Sequence, residues 1–269
     1  MRKILLIDAY NMIHRSRFGW STGEHSTTFT FFRSLKSEID RHDPDKVYVV
    51  TEGMPKHRLK INPDYKGNRV PIKDEGFHRQ KRDIFDICKY MPVSIIRHPD
   101  YECDDVIGYL CDKKHKNDKT VICSSDSDFI QLLTNENVSL WHPIKKSFVD
   151  PWPVDYLTWK ALRGDKTDNV PGIKGVGDKT AMKLAKDAGM LKRFLTPEKE
   201  KIFLTCLDQI KLADIQETDN NLQESDYTFD EENLFKSFAE REFSSMTQKG
   251  WKKWLNTMEK LNGERTTQA

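Results

Sequence analysis

The chain has 269 residues, 37% hydrophobic and 32% charged, enough to bury a full core as one large domain or as a core with a smaller lobe. Its 44 Lys and Arg against 42 Asp and Glu leave a net charge of only +2, so bulk charge does not mark a polyanion binder. Five scattered cysteines without a CxxC pair exclude a disulfide framework or zinc knuckle and fit a reducing cytoplasm. No apolar run reaches the roughly 18 residues a membrane span needs, and MRKILLID ends in an acid, so neither signal peptide nor anchor is expected.

In chain order, four short runs rich in β-branched residues read as buried strands: Lys3 to Ile7, Val47 to Val50, Val93 to Ile96 and Thr120 to Cys123. Phe29 to Asp40 and Asp104 to Lys114 are long enough for crossover helices, which predicts an α/β fold with a mostly parallel central sheet flanked by helices. After Val50 about forty basic and polar residues precede the next strand, too many for an ordinary connection. They read as an insertion, 53–92, part loop and part helix over Gly76 to Tyr90. Within it Lys56 to Arg82 holds nine Lys or Arg against three acids. Beyond Pro151 the strand signals stop, giving an α/β core over 1–150 and a helical lobe over 151–269. Thr196 and Pro197 are the N-cap and first residue of a helix predicted over Glu198 to Ile215. The polar residues from Lys260 onward are expected to fray.

Each predicted strand runs into acid: Asp8, then Glu52, then Glu102, Asp104 and Asp105, then Asp126 and Asp128. In an open parallel sheet these strand ends share one edge, where ligands bind. Two like charges about 4 Å apart repel by roughly 4 kcal/mol at an effective dielectric of 20, so the cluster calls for cations. Oxygen ligands without His or Cys favour Mg²⁺ or Mn²⁺, and a pair of such ions suits phosphodiester chemistry. A lone strand-end Asp is more often a helix cap, and Glu102 to Asp105 suit a helix N-terminus; it is the recurrence at four strand ends that points to a site.

In GDKTDNVPGIKGVGDKTA, Gly164 to Ala181, Asp165 and Asp168 are spaced to point the same way on a helical turn. Gly172, Gly175 and Gly177 free the backbone to approach a ligand, with Lys174 and Lys179 beside them. Asp165 and Asp168 raise the possible ligand set to nine.

From Lys3 to about Ala188 the chain resembles the 5′-nuclease family, the flap endonucleases and 5′–3′ exonucleases, in particular its stand-alone phage and bacterial members. IDAYNMIHR resembles the first metal-binding motif, PDYKGNR the basic arch motif, YECDD the Glu-x-Asp-Asp motif, SSDSDFIQLL the Asp-x-Asp motif, and Gly164 to Ala181 the helix-three-turn-helix, here 157–188. The resemblance implies a PIN-like nuclease core with a helical arch and a C-terminal helical lobe. It implies a first metal on Asp8, Glu102, Asp104, Asp126 and Asp128 and a second on Asp165 and Asp168 near Asp128, with Asp105 a direct or water-mediated ligand. Glu52 stands where Asp is usual, and Ala9 where Gly is common.

The resemblance further implies that Lys66 and Arg69, with Arg15 and Arg58 behind them, stabilise transition-state charge at the scissile phosphate, and that Tyr65 stacks on an unpaired base. The Gly175 to Gly177 amides and Lys179, with Lys174, would hold phosphates without reading sequence. Carbonyls of Leu162, Arg163, Pro171, Ile173 and Val176 would hold K⁺. The expected activity is hydrolysis at single-strand/duplex junctions (5′ flaps, nicked or forked DNA, RNA/DNA hybrid) during replication, by a monomer with any polymerase or single-strand-binding protein as a separate partner. A nuclease-fold RNase would lack the arch and the GVGDKT turn; a non-catalytic junction binder would lack the acids.

Overall fold

The computed structural model describes residues 1–19 and 23–266. Seven strands form one sheet: β1 Lys3–Asp8, β2 Lys46–Val50, β3 Ser94–Arg97, β4 Lys119–Cys123, β5 Val138–His142, β6 Ser147–Phe148 and β7 Gln223–Asp226. Their order is β6-β5-β4-β1-β2-β3-β7, with β1 to β5 parallel and the edge strands β6 and β7 antiparallel. The winding goes from β1 outward through β2 and β3, then returns to place β4 on the other side of β1. The sheet therefore opens a crevice between β1 and β4 at their carboxyl ends, the usual ligand position in such sheets.

Alternating side chains along the strands feed two cores. Ile4, Leu6, Tyr48, Val50 and Ile122 face α5 (Cys103–Tyr109) and the lobe helix α6 (Tyr156–Arg163), whereas Leu5, Ile7, Val47, Val49 and Cys123 belong with α1 (Ala9–Ser16) and α2 (Ser26–His42). A π-helical turn, Leu110–Lys114, extends α5, as predicted for Asp104 to Lys114.

The segment 53–92 is not all arch. Only α3 (Lys56–Ile61) and the loop to Asp74 stand beside the crevice. The following helix, α4 (Glu75–Cys88), is the β2-to-β3 crossover and buries Phe77, Ile84, Ile87 and Cys88. The connection is long because it contains a core helix as well as a loop.

The expected 151–269 lobe also ends early. Helices α6, α7 (Asp178–Lys186), α8 (Ala188–Phe194) and α9 (Pro197–Ile210) are followed by β7, which pairs with β3, and by α10 (Glu231–Glu240), α11 (Ser244–Thr247) and α12 (Trp251–Thr266). Leu234, Phe238, Met246, Trp254, Met258 and Leu261 of these last helices join the core of α2 and α4. Trp254, Met258 and Leu261 recur at helical spacing and are 3%, 0% and 2% exposed, so the helix continues past Lys260 instead of fraying there; residues 267–269 lie outside the described residues. The helix predicted over Glu198 to Ile215 opens at Pro197 under its Thr196 cap but stops at Ile210. Beyond it the amides of Leu212 and Ala213 donate to Gln131 Oε1 at 3.1 Å and Asp105 Oδ1 at 2.8 Å, partners that draw them out of the helical ladder.

Candidate metal and phosphodiester site

Four of the acids are fixed because they take part in helix N-terminal caps. Asp8 Oδ1 accepts the amide of Asn11 at 3.0 Å and caps α1, while Oδ2 accepts the Ser124 hydroxyl at 2.8 Å. Asp126 Oδ1 accepts the amide of Asp128 at 2.9 Å and caps the 3₁₀ helix Ser127–Thr134. Glu102 and Asp105 form a reciprocal capping box at α5. Capping and ligation are therefore not alternatives here: the cap holds each carboxylate at the strand end with little freedom.

Asp8, Glu102 and Asp126 line a cleft of about 270 Å³ with Glu52, Asp104, Arg15, Lys66 and Arg69. Among the described residues Asp8, Glu52 and Asp126 make no ion pair within 4 Å. Burial pushes the carboxyls of Asp8 and Asp126 above the ordinary Asp value, with the charge of Asp104 adding to it. Glu52, exposed at the cleft rim, is raised by partial desolvation, with Lys66 pulling down and Glu102 and Asp8 pushing up. Carboxylates gathered without basic partners, all offering oxygen, fit a hard divalent cation. Oxygens of Glu102, Asp104 and Asp105 also come within 4.8 Å of one another.

The second group is different. Asp165 and Asp168 lie not on a helical turn but in a loop closed by paired backbone hydrogen bonds between Asp165 and Val170, 2.8 Å each. Their carboxylates diverge to separate cations. Lys160, 3% exposed, is paired with Asp128 and, at 2.8 Å, with Asp165. Asp168 meets Arg69 at 2.6 Å and Lys66 at 3.7 Å. Lys160 and the Thr167 hydroxyl hold Asp165 well below the usual carboxylate range despite burial, whereas burial pushes Asp128 up to about 6 against the pull of Lys160. Lys160 was not singled out from the sequence. The available signal was its place four residues after Tyr156 on the buried face of α6, five before Asp165.

Two arch assignments are corrected. Arg58 is 1% exposed and Tyr65 6%, so neither is presented to a nucleic acid. Arg58 lies beneath the acids, and the Tyr65 hydroxyl donates to Glu102 Oε2 at 3.0 Å and Asp168 Oδ2 at 3.3 Å. Asp105 is also removed from the ligand set, since it is fully buried and both its oxygens are taken by Arg58 at 2.7 Å. Lys66 does face the cleft, with Nζ 2.5 Å from Glu102 Oε1, and it adopts a left-handed φ of 56° while its amide donates to Asp168 O at 3.3 Å. The arch loop is stitched to the Asp165 loop by Asn62 to Asn169 O, Asn169 to Asp64 O and Asn68 to Lys166 O, at 3.3, 3.0 and 2.8 Å. Arg15 lines the opposite cleft wall, and its buried Nε has no hydrogen-bond partner.

At the glycine turn the three residues divide by role. Gly172 has φ +66°, and a Cβ there would lie 2.5 Å from the Gly164 amide nitrogen, so this glycine serves backbone packing. Gly175 has φ +81° and Gly177 is extended, and a Cβ on either would meet nothing within 4 Å. Both open onto solvent at the N-terminus of α7, where Lys174 and Lys179 are exposed. Such a terminus attracts phosphate through free amides and the helix dipole. The Leu162 and Ile173 carbonyls already accept the amides of Ile173 and Val176, leaving each one lone pair.

A switch-point crevice lined by carboxylates and by the cations Lys66 and Arg69 suits metal-dependent phosphodiester hydrolysis. The family model of the 5′-3′ exonuclease N-terminal resolvase-like domain matches residues 3–156, and that of the 5′-3′ exonuclease C-terminal SAM fold matches 152–225. The chain belongs to the 5′-3′ exonuclease family and is a nuclease. A 5′-3′ exonuclease of Aquifex aeolicus is 37% identical over 215 residues, covering 72% of this chain and 73% of the relative. The thermostable DNA polymerase I of Thermus aquaticus is 30% identical over 233 residues, and the match covers 78% of this chain but only 28% of the polymerase. Among solved structures, a bacteriophage T5 flap endonuclease in complex with DNA and metal ions matches with a TM-score of 0.66 at 18% identity, covering 97% of this chain and all of that one. Flap endonuclease-1 from Methanococcus jannaschii matches with a TM-score of 0.65 at 15% identity, covering 100% and 94%. At these identities the two structures speak for the fold. No helix among the described residues is long and apolar enough to cross a membrane.

Proposed function

We propose that the chain is a structure-selective 5′ nuclease that hydrolyses phosphodiesters at single-strand/duplex junctions of DNA, with Mg²⁺ or Mn²⁺ on Asp8, Glu102, Asp104 and Asp126 and Glu52 at the rim. The observation that carries this reading is one cleft holding both cation-free carboxylates and the arch cations Lys66 and Arg69. When bound, the ion supplies Lewis acidity to a phosphoryl oxygen and to an attacking water. Lys66 and Arg69 exchange their carboxylate partners for phosphate and neutralise the charge that develops on it. Capping holds the acids in place, so little reorganisation accompanies substrate entry. The α7 terminus at Gly175 and Gly177, with Lys174 and Lys179, grips the duplex phosphates. The core over 1–150 with β7 and α10 to α12, and the lobe over 151–222, form the two working parts.

A second ion on Asp128, Asp165 and Asp168 requires Lys160 to release its two carboxylates, so it binds more weakly than the first. K⁺ at the α6–α7 turn, a monomeric state in the cytoplasm, and primer or flap removal beside a polymerase or single-strand-binding protein complete the reading. The test uses a 5′-labelled flap on duplex DNA with Mg²⁺ or with chelator. Label is expected to be released only with Mg²⁺, and Asp126→Asn combined with Asp128→Asn is expected to slow release at least 100-fold. Release by this variant at the native rate would overturn the proposal.

A further inference from the structure

Arg58 heads the largest side chains buried to under 2% exposure among the described residues, yet it carries a full charge. Its guanidinium is shared among three parts of the fold. Nη1 donates to Glu102 Oε2 and Asp105 Oδ2, and Nη2 to Asp105 Oδ1, each at 2.7 Å. Nε donates to Gln209 O at 3.0 Å and Nη2 reaches Lys211 O at 3.5 Å, at the end of α9. Asp105 additionally accepts the amides of Glu102 at 3.1 Å and Ala213 at 2.8 Å. A carboxylate has about four lone-pair sites, and these four donors fill them.

Glu102 is divided between two environments. Its Oε2 is held by Arg58 and by the Tyr65 hydroxyl, while its Oε1 faces Lys66, whose side chain is partly exposed and exchangeable. We infer that Arg58 is the positioning residue of the metal centre. It withdraws Asp105 from coordination, leaves Glu102 Oε1 facing the cleft, stands 3.6 Å from Asp104 Oδ1, and ties that geometry to the lobe through the Gln209 and Lys211 carbonyls. A lysine could balance the charge but could not supply the planar fork, so charge and position are separable. This inference rests on the metal-centre reading above.

Mn²⁺ binding to the metal-free full chain, followed by the paramagnetic resonance of free Mn²⁺, tests it alongside thermal melting. Arg58→Lys is expected to melt within a few degrees of the native protein yet bind Mn²⁺ at least 10-fold more weakly, as does Asp104→Asn. Should Arg58→Lys fail to fold, Arg58→Met with Asp105→Asn, which removes both buried charges together, carries the same expectation. Either Arg58 variant binding Mn²⁺ with native affinity would reduce Arg58 to a charge-balancing role and overturn the inference while leaving the metal reading intact. Failure of the native chain to bind Mn²⁺ would overturn both.

Discussion

At the scale of single residues, the cations under and around the acids decide how the site behaves. Lys160 neutralises Asp128 and Asp165 at once. Removing one partner from a buried ion pair leaves uncompensated charge and costs about 3 to 5 kcal/mol. Lys160→Met is therefore expected to lower the melting temperature in chelator, and Mn²⁺ to recover more of the loss than it adds to the native protein, because the ion takes over the charge that Lys160 carried. Equal Mn²⁺-induced shifts in the two proteins would show that Lys160 and metal do not compete. Arg58, Tyr65 and Lys160 also mark where sequence reading reached its limit. A basic stretch such as Arg58 to Arg69 reads as surface, since charged side chains are seldom fully buried. Lys160 had only its place on the buried face of α6 and the nearby Asp165 to mark it, and nothing local reveals that Arg58 lies beneath acids of another element.

At the scale of elements, the turn between α6 and α7 separates a packing glycine from one that opens onto solvent. Gly172→Ala places a Cβ 2.5 Å from backbone atoms at a φ of +66°. Gly175→Ala meets open space at φ +81°, so its cost is the left-handed strain alone, roughly 1 to 2 kcal/mol. Gly172→Ala is expected to lower the melting temperature the more, while Gly175→Ala, destabilised only by its left-handed φ, loses affinity for duplex DNA in a low-salt titration. The reverse order would contradict this division. The four parallel central strands β1 to β4 were legible because they are short, apolar and buried on both faces. The edge strand β7, with the sequence Gln-Glu-Ser-Asp, has no apolar signal: it is held by pairing with β3, a long-range contact invisible to local patterning. The Asp165 loop was misread as helical for a related reason, since a three-residue spacing fits both a helix and a tight turn.

For the molecule as a whole, pH acts through opposing groups. Asp8, Asp126 and Asp128 titrate above the free value of 3.8, Asp128 at about 6, because burial penalises their charge. They favour the folded state below about pH 4 and lose that contribution as pH rises through their raised folded values, about 6 for Asp128. Burial holds His57 down to about 4 from 6.5, and its contribution runs the other way, present above 6.5 and lost on acidification. Melting temperature therefore blends both, whereas Mn²⁺ affinity isolates the carboxylates, which must be ionised to bind. Affinity is expected to fall on acidification as these raised carboxyls take up protons, and to level off once they are ionised; an affinity that does not change with pH across the acidic range would place the ion elsewhere. The edge strands set a mechanical limit on the rest of the chain. The lobe leaves the sheet just past β6 and re-enters at β7, strands that form opposite borders of the seven-stranded sheet, six spacings or about 28 Å apart. A tail anchored once sweeps a volume, but a handle fixed at both ends of a rigid plate can only rock about the line joining them. With α6 and α9 also packed in the core of the sheet, this double attachment keeps the reach from the α7 terminus to the cleft constant.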